Sequence, residues 1–233
     1  PEPTPEPTPA PTPEPTPKPK STPKKDAKDD SDAPIVVEKS GKSDEAGLAP
    51  PPKKKGGFLW FGRGPKYEYL SESVRSSIDD AKVKKGRWKY IIVHNSGTRQ
   101  GNAKAFDNYH KNVRKMRNGM AYHFVVGNGT SSGNGEIEIG NRWVRQINGG
   151  HVASDYLNNI SIGICLVGDL NRDLPTKVQI AALDELIEYL RKRCGKSGGK
   201  DIIVRGHKQI NPKPTDCPGD RFPLKWLNSE FKD

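Results

Sequence analysis

Two imidazoles and a thiol stand where a chain can present metal ligands. His94 ends the apolar run Tyr90-Ile91-Ile92-Val93, and His207 follows a second run, Ile202-Ile203-Val204, after Arg205-Gly206. Ten residues beyond His207, Cys217 sits in Pro212-Lys213-Pro214-Thr215-Asp216-Cys217-Pro218-Gly219, a loop braced by proline and glycine. A catalytic zinc takes about three ligands from protein and leaves a fourth position for water or substrate, so a His, His, Cys set is a catalytic rather than a structural pattern. Read singly, each histidine also suits a packed residue and the cysteine a small buried hydrophobe. The spacing from His207 to Cys217 is looser than a CxxC pair and leaves both readings open.

For these groups to meet, the two apolar runs must be neighbouring strands whose ends share one edge of a sheet, with the Cys217 loop folding back. The remaining pattern supplies the flanking elements. Residues 71–85 predict a helix with Val74, Ile78, Ala81 and Val83 inward. Residues 103–117 carry Ala103, Phe106, Tyr109, Val113 and Met116 at spacings of three and four, an amphipathic helix, with His110 beside the stripe as a packing or cleft-wall residue. Residues 119–126 predict a strand whose alternation puts Tyr122 and Phe124 opposite His123. The glycine- and asparagine-rich 127–135 is a turn. Short extended segments are expected over 136–140 and 142–147, delivering Gly149-Gly150-His151. A doubly buried strand is expected over 158–169. Thr176 and Gln179 form a capping box for a helix with Leu183, Leu186, Ile187, Leu190 and Cys194 inward, stopped by Gly195. A closing helix is expected over 222–227.

The first quarter of the chain has a different composition. Proline fills every odd position from Pro1 to Pro19, which dictates extended polyproline II. Residues 20–57 stay rich in Lys, Asp, Ser, Pro and Gly, so 1–57 is expected to be a disordered spacer and 58–233 one folded domain. Phe58-Leu59-Trp60-Phe61 opens that domain and should pack on it or line a groove. Residues 1–57 hold ten Lys+Arg and ten Asp+Glu, which leaves 29 and 18 of the totals of 39 and 28 beyond them. The net charge of +11 therefore belongs to the domain and suits an anionic polymer. Nucleic acid is such a polymer, but the chain carries no helix-turn-helix, zinc-finger or aromatic RNA-binding signature, so none is expected as partner. No run approaches the roughly 18 apolar residues of a membrane span. The spacer suggests a secretion or lipid-anchor segment ahead of Pro1 and an extracytoplasmic place of work. Three cysteines make no disulfide framework; Cys165 and Cys194 are expected as buried thiols.

Five blocks occur in a recognisable order: Ile91-Ile92-Val93-His94-Asn95-Ser96-Gly97-Thr98, Ala121-Tyr122-His123-Phe124-Val125-Val126, Gly150-His151, 161–169, and His207 to Gly219. Together they resemble the zinc N-acetylmuramoyl-L-alanine amidases of the type 2 group, which share a fold with peptidoglycan-recognition proteins. The resemblance implies a single α/β domain, a central mixed sheet flanked by helices. It implies one Zn²⁺ on His94, His207 and Cys217, with Tyr122 and Thr215 at the reacting centre and His151 in contact with substrate. The reaction implied is hydrolysis of the amide between N-acetylmuramic acid and L-alanine by a zinc-activated water, with peptidoglycan or muropeptides as partners and a monomer as the working unit. Some relatives carry a glutamate base where Cys165 stands, and others a lysine where Thr215 stands. A non-catalytic peptidoglycan-binding module of the same fold is the alternative, and a nucleic-acid-binding protein with a structural zinc is a more distant one.

Overall fold

The computed structural model describes residues 67–232; the spacer over 1–57 and Phe58-Leu59-Trp60-Phe61 lie outside the described residues. Five strands form one mixed sheet in the order β3-β2-β4-β1-β5. They are β1 (Tyr90–Asn95), β2 (Phe124–Asn128), β3 (Asn134–Ile139), β4 (Ser161–Leu166) and β5 (Ile203–Gly206). β1 lies parallel between β4 and β5, β2 is parallel to β4, and β3 closes the far edge antiparallel to β2. The two apolar runs that end in His94 and lead to His207 are thus adjacent strands, as their chemistry required.

The helices are α1 (Glu72–Asp80), α2 (Ala103–Asn112), α3 (Asn141–Val144), α4 (Asp155–Ile160), α5 (Lys177–Cys194) and α6 (Leu224–Glu230). Strand alternation sorts the sheet into two faces. Ile91, Val93, Phe124, Val126, Ile162, Ile164 and Leu166 join the main core with Val74 and Ile78 of α1 and Ile180, Leu183, Ile187 and Leu190 of α5. Each such side chain contributes about 1.5–3 kcal/mol by leaving water, so this face carries the stability. Val125 and Cys165 point to the other face, where Ala103, Met120, Val167, Phe106 and Tyr122 form a much smaller apolar cluster. That thinner face is where a site can open.

Several boundaries differ from the sequence expectation. The first helix stops at Asp80, because Asp79 and Asp80 oppose the negative end of its dipole; Arg193 binds the freed carbonyls of Asp79 and Ala81, each at 2.8 Å. The second ends at Asn112, before Lys115 adopts φ 56°, and its outer stripe is not buried: Tyr109 is 48% and Val113 63% exposed. Its start is held by Asn102, which accepts from Ala105 N at 2.8 Å, and by Glu138, which accepts from Ala103 N at 2.8 Å. Residues 142–147 are not extended. Asn141–Val144 form a helical turn, in which Trp143 is buried and the Arg142 guanidinium binds the carbonyls of Met120 and Asn148. Residues 158–160 belong to α4, capped by Ser154, so the buried strand begins at Ser161. The closing helix is Leu224–Glu230. The capping box of α5 forms on both sides, with Thr176 Oγ1 accepting from Gln179 N at 2.9 Å and Gln179 Oε1 accepting from Thr176 N at 3.1 Å. Gly195 ends that helix at φ 68°.

Candidate metal centre

The register lays a row of residues across the sheet that reaches the carboxyl ends of β4 and β1. Glu138 stands opposite Val125, Val125 opposite Cys165, and Cys165 opposite His94. Val93 pairs with Gly206, so the next residue on β5's path, His207, falls beside His94, and the two rings lie 4.4 Å apart between centroids. In open α/β sheets this carboxyl edge is the usual place for a ligand. His207 opens a single 3-10 turn, His207–Gln209, whose Lys208 N donates to Cys217 O at 2.7 Å and draws the cysteine loop back over the edge. Thr215 Oγ1 accepts from Cys217 N at 3.2 Å, and Gly219 turns at φ 107° against the Leu170 backbone, where a Cβ would lie 2.5 Å from Leu170. Cys217 Sγ accepts from Asn95 N at 3.4 Å and faces His94 Nδ1 at 3.5 Å.

One ligand atom from each of His94, His207 and Cys217 comes within 4.8 Å of the others. Neither ring nitrogen of His207 makes a well-formed hydrogen bond although both are buried, an arrangement that suits a cation partner. Burial lowers the pKa of His207, against a weaker opposing pull from the Asn211 side chain. Burial, with His151 and His207 nearby, holds His94 well below the usual imidazole range. The Cys217 thiol is pushed up to about 12 by burial, partly offset by Asn95 N–H and Lys208. Two neutral imidazoles and a thiol that resists ionisation alone form a donor set for a metal that replaces the thiol proton, and zinc fits it. Asp184, Glu188 and Glu230 form a second, mostly exposed group of acidic residues elsewhere on the chain.

Around this centre the structure redistributes the expected residues. Tyr122 lies beside His94, ring centroids 5.2 Å apart, but by leaving the strand pattern: β2 begins only at Phe124, and Tyr122 joins Val125 and Cys165 on the site face while Phe124 enters the main core. Simple alternation put Tyr122 and Phe124 together; the irregular backbone before β2 separates them. Burial, then the nearby thiols, raises the Tyr122 pKa well above its usual value, so the phenol keeps its proton. His110 packs edge-on against Tyr122, 5.7 Å between centroids, and against Tyr109 at 5.8 Å. Cys165 is fully buried beneath His94, and its thiol is raised well above the ordinary range by burial and by Cys217. Cys165, Cys194 and Cys217 are all unbridged.

His151 is the main departure. Expected to face substrate, it is 7% exposed and lies behind His94, with its Nδ1 at 3.0 Å from His94 Nε2 and its Nε2 at 3.4 Å from Ser161 Oγ. Both ring nitrogens face protein groups, one of them His94. Ser161, Asn158 and Gly163 were not singled out from the sequence. Asn158 Oδ1 accepts from His151 N at 2.9 Å and from Val152 N at 3.2 Å, fixing the loop that carries His151. A Cβ on Gly163 would come 2.6 Å from His151 Cδ2, so only glycine leaves room for the ring. A glycine inside a buried strand, Ser161-Ile162-Gly163-Ile164, was the available signal for such a close approach.

The sequence profile of the family described as N-acetylmuramoyl-L-alanine amidase matches residues 84–220. Peptidoglycan-recognition protein SC2 of Drosophila simulans is 27% identical over 142 residues, 56% of this chain and 67% of that protein. Its Drosophila melanogaster counterpart is 31% identical over 100 residues, 43% of this chain and 47% of that protein, so the chain spans about half the length of this relative. Among solved structures, the endolysine N-acetylmuramoyl-L-alanine amidase LysCS from Clostridium intestinale URNW superposes with a TM-score of 0.51 at 22% identity, over 65% of this chain and 85% of that one, a likeness of fold. The match covers more than half the sequence and includes His94, His207 and Cys217: the chain belongs to the N-acetylmuramoyl-L-alanine amidase family.

Proposed function

We propose that this chain is an active zinc amidase that cleaves the bond between the lactyl carbonyl of N-acetylmuramic acid and L-alanine. The observation that carries the reading is the convergence of His94, His207 and Cys217 at one sheet edge, three donors where a catalytic zinc takes about three from protein. Zinc in such a site supplies Lewis acidity, which polarises an amide carbonyl and makes water a nucleophile near neutral pH. The chain's own residues do the rest. The Tyr122 phenol, kept protonated by burial, donates a hydrogen bond to the carbonyl oxygen as negative charge develops there. Thr215 braces the cysteine loop through Cys217 N, which keeps Sγ aimed at His94. The rings of Tyr122, His110 and the exposed Tyr109 follow one another from beside His94, an aromatic row against whose outer end the apolar face of a sugar ring can lie.

The substrate is peptidoglycan or a muropeptide released from it, approached by a basic domain acting as a monomer outside the cytoplasm. The test is mass spectrometry of a defined muramyl peptide after incubation with the protein, with and without a zinc chelator. Chelator-sensitive release of a stem peptide with a free L-alanine amine is expected, and Cys217→Ala and His94→Ala should each abolish it. Kinship with proteins named for peptidoglycan recognition favours one rival, a binding module. A muramyl peptide that binds but stays intact would establish that rival and end the amidase reading.

A further inference from the structure

We propose that His151 and Ser161 form a positioning pair that sets the tautomer of His94, holding its proton on Nε2 so that the bare Nδ1 faces Cys217 and His207. The proposal rests on the reading of this site as a metal centre, and it concerns how the ligand is made ready before any metal arrives.

Ser161 Oγ lies 2.5 Å from the Leu157 carbonyl, which can only accept, so the hydroxyl hydrogen points there. Towards His151 Nε2, 3.4 Å away, the same oxygen is left as an acceptor, and the Ser161 backbone also accepts from this ring. His151 therefore carries its hydrogen on Nε2. Its Nδ1 is then a lone pair, facing His94 Nε2 at 3.0 Å in a fully enclosed space. Two facing lone pairs would leave a buried contact with no hydrogen in it, so His94 must donate from Nε2. A neutral imidazole with hydrogen on Nε2 has its free electron pair on Nδ1, the atom that stands 3.5 Å from Cys217 Sγ.

The surroundings hold the His151 ring in place. Asn158 fixes its backbone from one side, accepting from His151 N and Val152 N and donating to Val152 O at 2.9 Å. Glycines stand at the two positions, 149 and 163, where a Cβ would come 2.4 and 2.6 Å from the ring. His123, packed 5.9 Å away between centroids, provides a built-in comparison. Its Nδ1 accepts from Gly163 N at 3.0 Å, so its hydrogen is on Nε2, 3.2 Å from Ile147 O, fixed by backbone alone. A ligand histidine oriented through its second nitrogen normally leans on a carboxylate, carbonyl or water. Here the second nitrogen leans on another imidazole, which in turn leans on a serine.

Long-range proton–nitrogen NMR of the metal-free full chain, labelled at histidine, reads the tautomers directly. His94, His151 and His123 are all expected to carry hydrogen on Nε2; a His94 spectrum with hydrogen on Nδ1 overturns the proposal. A second arm measures zinc affinity by competition with a chromophoric chelator for the parent, His151→Leu and His151→Asn. The asparagine amide oxygen can accept where Nδ1 accepted, and leucine cannot. His151→Leu should bind zinc about 10–100-fold more weakly, and His151→Asn should recover most of that loss. Equal affinity in the parent and His151→Leu overturns the proposal. Failure of the parent to bind zinc at all would sink the metal reading instead, and the NMR arm would still decide the tautomer.

Discussion

Replacing Gly163 by alanine puts the packing behind the metal centre to a quantitative test. The added methyl would lie 2.6, 2.7 and 2.9 Å from His151 Cδ2, Cγ and Nε2, and to regain an ordinary 3.4 Å contact the ring must retreat by about 0.8 Å. It has little room to do so: His94 stands 4.9 Å away between ring centroids, His123 stands 5.9 Å away, and Gly149 closes the remaining side. Overpacking of this kind costs about 1–3 kcal/mol. For a domain of this size each kcal/mol lowers Tm by roughly 2–4 °C. The informative assay is a double-mutant cycle with His151→Ala, following urea unfolding of the metal-free parent, both single variants and the double. His151→Ala alone leaves the His94 Nε2 hydrogen without its acceptor, about 1–3 kcal/mol, but also opens the space that the methyl needs. The double variant should therefore be more stable than the sum of the singles predicts, by about 1 kcal/mol or more. If the two losses add within roughly 0.5 kcal/mol, the methyl and the imidazole do not compete for one space, and the account of Gly163 fails.

Three further outcomes are expected. At neutral pH His94 and His207 are neutral and Cys217 carries a proton, so zinc binding should release roughly one proton and tighten about tenfold for each pH unit of increase between pH 6 and 8. Calorimetry in two buffers of different ionisation heat counts that proton, and a count near zero or two contradicts the ligand assignment. Tyr122→Phe removes the donor to the developing oxyanion and should lower kcat by about 10²–10³ while zinc affinity stays at the parent value; unchanged kcat in steady-state assays would remove Tyr122 from the chemistry. Thr176→Ala takes away both the cap of α5 and the hydrogen bond to Asn134 Oδ1, 2.6 Å long, and should cost about 0.5–2 kcal/mol in thermal unfolding with no effect on turnover at low temperature.

Most of what makes the site was legible in the residues because the sheet's chemistry is written at strand ends. Tyr90-Ile91-Ile92-Val93 and Ile202-Ile203-Val204 announce buried strands, and the histidine after each falls at one edge once the strands are parallel neighbours. The long helix was equally legible, since Thr176, Gln179 and Gly195 mark its ends with side chains that act locally. What escaped depends on tertiary contact. Nothing in the local sequence says that Tyr122 leaves the alternation of the following strand, nor that Arg142 pins 141–144 into a helical turn by binding carbonyls at Met120 and Asn148. The surroundings of His151 escaped for a related reason. The substrate contact expected of it came from the family resemblance, and only Gly163 and Ser161, on a strand ten or more residues later, show that a slot has been made for it behind His94.

The position of His207 gives the metal centre a mechanical meaning. β5 is a four-residue strand at the sheet's edge, and an edge this short is held by few hydrogen bonds and opens locally at less than the global free energy. His94 and Cys217 are 123 residues apart in the chain, so a cation held by them and His207 would act as a rivet across the edge joint of the sheet. Any local opening of that edge pulls His207 and the Cys217 loop away from His94 together. With zinc bound there, metal occupancy and the integrity of the seam would be a single equilibrium: free zinc at a hundredfold excess over its dissociation constant would hold the joint shut by about 2.7 kcal/mol, and a chelator would loosen the sheet from this side first.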